Sequence, residues 1–254
     1  MRGASDGKEK NDQVTHAGAF HVDGQYPPML VLLLLLQLHA PWDLAEIRRQ
    51  VAAYPAVLEA RGQDGRSPLT AAVAAGQRKA VALLLELGAK PDDPEALVLA
   101  AAAGNADLAH LLISAKANPN APFGDPPRSP IFWAIENNRK GMVNLLADNG
   151  TDLDKPLPGV GAPLHWAAEK GAPEILLALL NPPANVRLET KDEAGYTALQ
   201  RAVLANRLEA VRLLLNFGAE PLNARELAKD PAMVQLLEQP PAVKPGHREV
   251  KIRM

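Results

Sequence analysis

Histidine is the side chain most readily used for proton transfer near neutral pH, and this chain carries six. His165 stands beside Trp166 in the stretch GAPLHWAAEKG, residues 161–171, just after a proline. A catalytic histidine needs a nucleophile, an acid or a second base within hydrogen-bond reach, and none lies at a recognisable spacing. His16, His21, His39, His110 and His247 form no ligand set inside a folded element; His16 and His21 offer only a weak metal site in a polar leader. GVGAPL, residues 159–164, lacks the third glycine of a dinucleotide fingerprint and follows no strand pattern. G-x-S-x-G, the phosphate-binding loop and H-E-x-x-H do not occur, and with no Cys there is no thiolate nucleophile, thiolate metal site or disulfide. No enzyme, no cofactor and no small-molecule substrate are therefore expected, and His165 reads as a residue that stiffens a turn.

Composition narrows the class further. The 254 residues are 47% apolar but only 4% aromatic, so the core has to be built from Leu, Ala and Val. Small and straight-chain residues of that kind suit closely packed helices better than a β-sandwich. With 27 basic and 29 acidic side chains the formal charge is -2, which leaves no basic footprint for nucleic acid and no polybasic lipid patch.

Self-similarity organises the middle of the chain. Five lines align on an apolar anchor after a proline or its equivalent: Leu69, Leu97, Ile131, Leu164 and Leu199, spaced by 28, 34, 33 and 35 residues. An alanine column (Ala72, Ala100, Ala134, Ala167, Ala202) and a Gly/Asn column (Gly76, Gly104, Asn138, Gly171, Asn206) align with it. So does a third column, Val81, Ala109, Val143, Leu176 and Val211, each followed by a Leu pair or near pair. Every line thus predicts two short helices. Pro suits the first turn of a helix and Ser or Thr before it suits the cap, as in Ser67-Pro68 and Ser129-Pro130, whereas Ala162-Pro163 lacks the hydroxyl. Gly or Asn suits a left-handed end to the first helix, and apolar residues at i, i+3 and i+4 (Val81, Leu84, Leu85) give the second helix one buried stripe. The line from Asp93 is short by about six residues, so its finger should shrink to a plain turn.

This pattern resembles the ankyrin repeat, with its T-P-L-H segment, its V-x-x-L-L helix and its G-A-x-x-N exit. GAPLHWAAEKGAPEILLALL, DGRSPLTAAVAAG and AGYTALQRAVLAN match best, and the resemblance covers about residues 30–238. It implies an all-α solenoid of helix-turn-helix units with β-hairpin-like fingers, in which the His of T-P-L-H hydrogen-bonds backbone around the finger. The third line departs from the pattern by placing Phe132 where that His stands.

The boundaries follow from these lines. Residues 1–28 are polar, Gly-rich and aperiodic, and are expected to be disordered, as is the tail 239–254 with its three prolines. Between them lie a capping repeat at 29–63, five repeats at 64–221 and a shortened closing repeat at 222–238. MLVLLLLLQLHA, residues 29–40, is too short to span a bilayer as a helix. It is read as the first helix of the cap, since counting 34 residues back from Leu69 reaches Leu35; a secretory segment ending near Ala40 is the alternative.

The expected function is a binding module for a protein partner, not yet identified, that docks on the concave surface of finger tips and first helices. Trp133 and Trp166 share a column and should pack between repeats, with their edges open to a partner. Arg128, Phe132, Glu136, Asn137, Glu169, Lys170 and Tyr196 complete the candidate surface, where the array turns from small and apolar to charged and aromatic. A cytoplasmic location is expected; the rival is a periplasmic or membrane-attached binding or immunity-type protein, any membrane contact falling to residues 29–40. N-terminal sequencing of the mature protein separates the two: the capping reading expects no new terminus near Pro41, whereas cleavage of a signal segment creates one there.

Overall fold

Short helices punctuated by left-handed turns dominate, because most half-repeats end on a left-handed Gly or Asn before they have gone three turns. The computed structural model describes residues 42–181, 186–221 and 223–243; the expectations for 1–28, for 29–40 and for the end of the tail lie outside them. The described residues form α1 (Leu44–Ala53), α2 (Pro68–Ala74), α3 (Arg78–Glu86), α4 (Pro94–Ala103), α5 (Ala106–Ser114) and α6 (Pro130–Glu136). These are followed by α7 (Lys140–Asp148), α8 (Pro163–Lys170), α9 (Pro173–Leu180), α10 (Ala198–Leu204), α11 (Leu208–Asn216) and α12 (Pro231–Glu238). Single 3-10 turns occur at Pro55–Glu59 and Arg225–Leu227. Among the described residues there is no sheet, only two isolated bridges, Phe123 with Arg128 and Leu157 with Gly161, at the bases of two fingers.

Two layers result. The first helices α2, α4, α6, α8 and α10 lie side by side in one layer, and α1, α3, α5, α7, α9, α11 and α12 line up in the other. Helices this short are marginal on their own in water, so burial between neighbours has to hold them. The five anchors are all 2% exposed or less, and the alanine column and the Val81 column are equally buried. All five residues of the Gly/Asn column adopt φ between 54° and 74°, the left-handed conformation that Gly takes freely and Asn tolerates.

The caps differ in detail from expectation. Ser67 caps α2 by accepting from the Thr70 N–H at 3.2 Å, but Ser129 makes no capping bond and Ala162 cannot. Thr197 and Gln200 form a reciprocal capping box at the start of α10, which the sequence reading did not single out. In the short second unit a longer helix replaces the missing finger: α4 starts at Pro94, three residues before its anchor. Asp93 caps it, accepting from the Glu95 N–H at 3.1 Å, and also ties back to Thr70 Oγ1 (2.9 Å) and Arg61 Nη1 (2.7 Å).

Two arginines clip repeats together. Arg139 and Arg207 each follow a left-handed Asn and lie across the left-handed turn of the preceding unit. Arg139 Nε donates to the Ala102 carbonyl (3.2 Å) and Arg207 Nε to the Glu169 carbonyl (3.0 Å). The fit needs glycine: a Cβ on Gly104 would stand 2.8 Å from Arg139 Cδ, and one on Gly171 2.6 Å from Arg207 Cδ.

His165, on α8, holds the finger of the following, fifth unit, bonding its backbone as the resemblance implies. Its ring is 1% exposed, and Nε2 lies 3.0 Å from the Thr190 carbonyl and 3.2 Å from the Tyr196 carbonyl. Two acceptors require the proton on Nε2. Burial lowers its pKa from the ordinary value, an effect that Asp192 and the two carbonyls partly offset.

Two outcomes follow from these contacts. Gly76→Ala, with open space around its Cβ, should lose only about 1–2 kcal/mol for the left-handed backbone. Gly171→Ala should lose more, with the excess disappearing in an Arg207→Ala background; urea unfolding of the four variants measures this. For His165 the unfolded ring binds the proton more tightly than the folded one, so its contribution is complete above about pH 6.5 and is lost as pH falls through the lower folded value. Urea midpoints between neutral and mildly acidic pH should therefore fall in the wild type, and His165→Gln should flatten that dependence.

Candidate partner-binding surface

Position within the repeat decides which side chains leave the core. The residue two after each anchor points along the finger side of the first helix; in the five units it is Ala71, Leu99, Trp133, Trp166 and Arg201. Five and six after the anchor come Glu136 with Asn137, Glu169 with Lys170, and Leu204 with Ala205. Finger residues three before the anchor include Arg66, Arg128 and Tyr196. Helices α6, α8 and α10 and their fingers therefore carry the charged and aromatic groups, whereas the first two units present mainly small aliphatic ones.

Two clusters form there. In the first, Trp166 is half-buried, and the Arg128 guanidinium and the Lys170 ammonium stand over its ring at 5.1 and 4.7 Å from the centroid. Lys170 Nζ also pairs with Glu136 at 2.8 Å across the α6–α8 seam. In the second, Arg201 pairs with the buried Asp192, lies 3.9 Å from Glu169 and stands over the Tyr196 ring at 5.5 Å. Burial alone would raise the Asp192 carboxyl, but the Tyr196 N–H and Arg201 outweigh it and hold the pKa below the usual value. Leu204, 46% exposed, adds an apolar group on α10.

Of the nine expected contact residues, Arg128, Glu136, Trp166, Glu169, Lys170 and Tyr196 fall in these clusters. Phe132 requires a correction. It is only 2% exposed and fills the core, because the position one after the anchor is buried in this unit as it is at His165, and an apolar ring there packs where the His ring bonds two carbonyls. Trp133 is half-buried beneath its own finger, its Nε1 donating to the Phe123 carbonyl at 3.4 Å while the ring lies against Gly124. Asn137 is exposed, but its Nδ2 donates to the Trp133 carbonyl at 2.8 Å and closes the end of α6. Arg201 and Asp192 were missed, although Arg201 shares the column of the two tryptophans and could have been found from it.

His165 spends its Nε2 on two backbone carbonyls while its Nδ1 is buried without a partner, and among the described residues no group of three His, Cys, Asp or Glu is placed to hold a metal ion. No helix of the described residues is long and apolar enough to cross a membrane.

Comparison with known proteins agrees with the repeat geometry. A family model for ankyrin repeats in three copies matches residues 131–225, and a single ankyrin repeat model matches residues 64–95. Human neurogenic locus notch homolog protein 2 is 35% identical over 125 residues, 49% of this chain and 5% of that protein. The ankyrin repeat domain-containing protein SAT10 of Stachybotrys chartarum is 32% identical over 158 residues, 61% of this chain and 8% of that protein. This chain thus corresponds to a small part of either relative. Among solved structures, the ankyrin repeat domain of Bcl-3 superposes with a TM-score of 0.69 at 21% identity, covering 85% of this chain and all of that one. The human ASB11 ankyrin repeat domain gives 0.61 at 23% identity, covering 86% of this chain and all of that one. With its anchor, alanine and Val81 columns buried in all five units and the family models spanning half of its length, the chain belongs to the ankyrin repeat family, whose repeats are generally a protein–protein interaction module.

Proposed function

We propose that this chain binds a protein partner through the concave surface of fingers and first helices in its third to fifth repeats, and that it works without a catalytic step. The observation that carries the reading is the pair of clusters around Trp166 and Arg201, where aromatic rings and charges stand half-open on a scaffold fixed by ion pairs and buried helices. Side chains already held in place lose little freedom on docking, and half-buried Trp, Tyr and Arg are the residue types on which interface energy concentrates. The rival, a secreted or membrane-attached binding protein, turns on residues 29–40.

A triple variant, Glu136→Ala with Lys170→Ala and Tyr196→Ala, tests the surface. Proteins retained by the immobilised wild-type chain should be lost at least about tenfold, corresponding to roughly 1.4 kcal/mol or more, while circular dichroism keeps its helical signal. Equal retention by the triple variant would overturn the assignment of this face.

A further inference from the structure

Repeats allow one position to be compared with its own copies. Arg66 and Arg128 both lie three residues before an anchor, Leu69 and Ile131, each at the base of a finger. Arg66 grips a carboxylate of the following repeat: its Nε donates to Glu95 Oε1 at 2.8 Å and its Nη2 lies 2.6 Å from the same oxygen. Glu95 is two residues before its anchor, Leu97; the copy of that position facing Arg128 is Ala162, two before Leu164. At Arg128 the chain has therefore kept the cation and left out the carboxylate.

The surroundings make that omission consequential. Among the described residues, Arg128 has no ion pair, and its side chain makes no hydrogen bond; its Nε is buried without an acceptor, as is the neighbouring Trp166 Nε1. Lys170 puts a second cation over the same ring, and the one carboxylate paired within this cluster, Glu136, is already held by Lys170. Asp192 and Glu169 are both engaged by Arg201. The cluster carries a surplus positive charge, and no nearby acidic group pairs with it.

We propose that Arg128, seated on Trp166, is a carboxylate receptor: an Asp, a Glu or a chain-terminal carboxylate of the protein partner meets the Nη edge of its guanidinium, as Glu95 meets Arg66 Nη2. This rests on the concave-surface reading above and gives the partner its chemistry, an acidic segment that enters beside the third finger. A planar guanidinium matches a carboxylate edge to edge. The aromatic ring beneath fixes its plane.

Nuclear magnetic resonance of the full-length chain tests this with a defined probe, the blocked tripeptide acetyl-Gly-Glu-Gly-amide and its Gln counterpart. The Glu peptide should shift the Arg128 Nε–H and Trp166 indole N–H signals saturably and leave the already paired Arg66 Nε–H in place. The Gln peptide, or an Arg128→Gln chain, should respond at least about tenfold more weakly, as expected for a charge-assisted bond. Arg128→Lys, which keeps the charge but loses the fork, should fall between them. An equal response to the Gln peptide, full response in Arg128→Gln, or no shift at Arg128 at the solubility limit of the Glu peptide would overturn the proposal. If shifts gather on α6, α8 and α10 but do not depend on Arg128, only the carboxylate assignment fails; if they gather on the second-helix layer, the concave reading fails with it.

Discussion

No helix pair in this chain can cover its own apolar side. The helices run seven to ten residues, and the anchors, the alanines and the Val81 column are sealed only because an adjacent pair lies against them. Transferring a Leu out of water is worth about 2 kcal/mol, whereas a helix this short is marginal alone, so stability sits in the seams between units. All the surface chemistry described above depends on those seams. The Lys170–Glu136 pair spans α6 and α8, and Arg128 reaches Trp166 from the neighbouring finger.

This explains why so much of the architecture was legible in the residues. A column that must be buried in every copy can only hold apolar side chains of limited size, and a turn that must be left-handed can only hold Gly or Asn at low strain. Leu69 and Gly76 therefore betray their roles by recurrence alone. Surface positions carry no such restriction, and there the reading was weaker. Phe132 illustrates the limit: it holds the position of His165, one after the anchor, and both are buried, so the column that made His165 a turn residue already argued against an exposed Phe132.

Contacts between side chains of one repeat and backbone of another were the least legible. Arg139 and Arg207 look like ordinary surface cations until the glycine turn beneath each is seen. Ser129 has the right identity for a cap and does not act as one, while Asp93 caps α4 and ties two earlier elements as well. The short second unit was recognised from its 28-residue spacing, yet the outcome, an early helix start in place of a finger, required knowing that Asp93 would be held from behind by Thr70 and Arg61.

The two arginine clips share a direction. In each, a residue that comes later in the chain reaches back to a carbonyl that came about a repeat earlier, Ala102 for Arg139 and Glu169 for Arg207. On the ribosome, the acceptor has therefore already emerged when its clip appears, and no clip waits on unmade sequence. Assembly can then proceed from the amino end as synthesis advances, with the greasy flank of the newest pair as the stretch left waiting for cover.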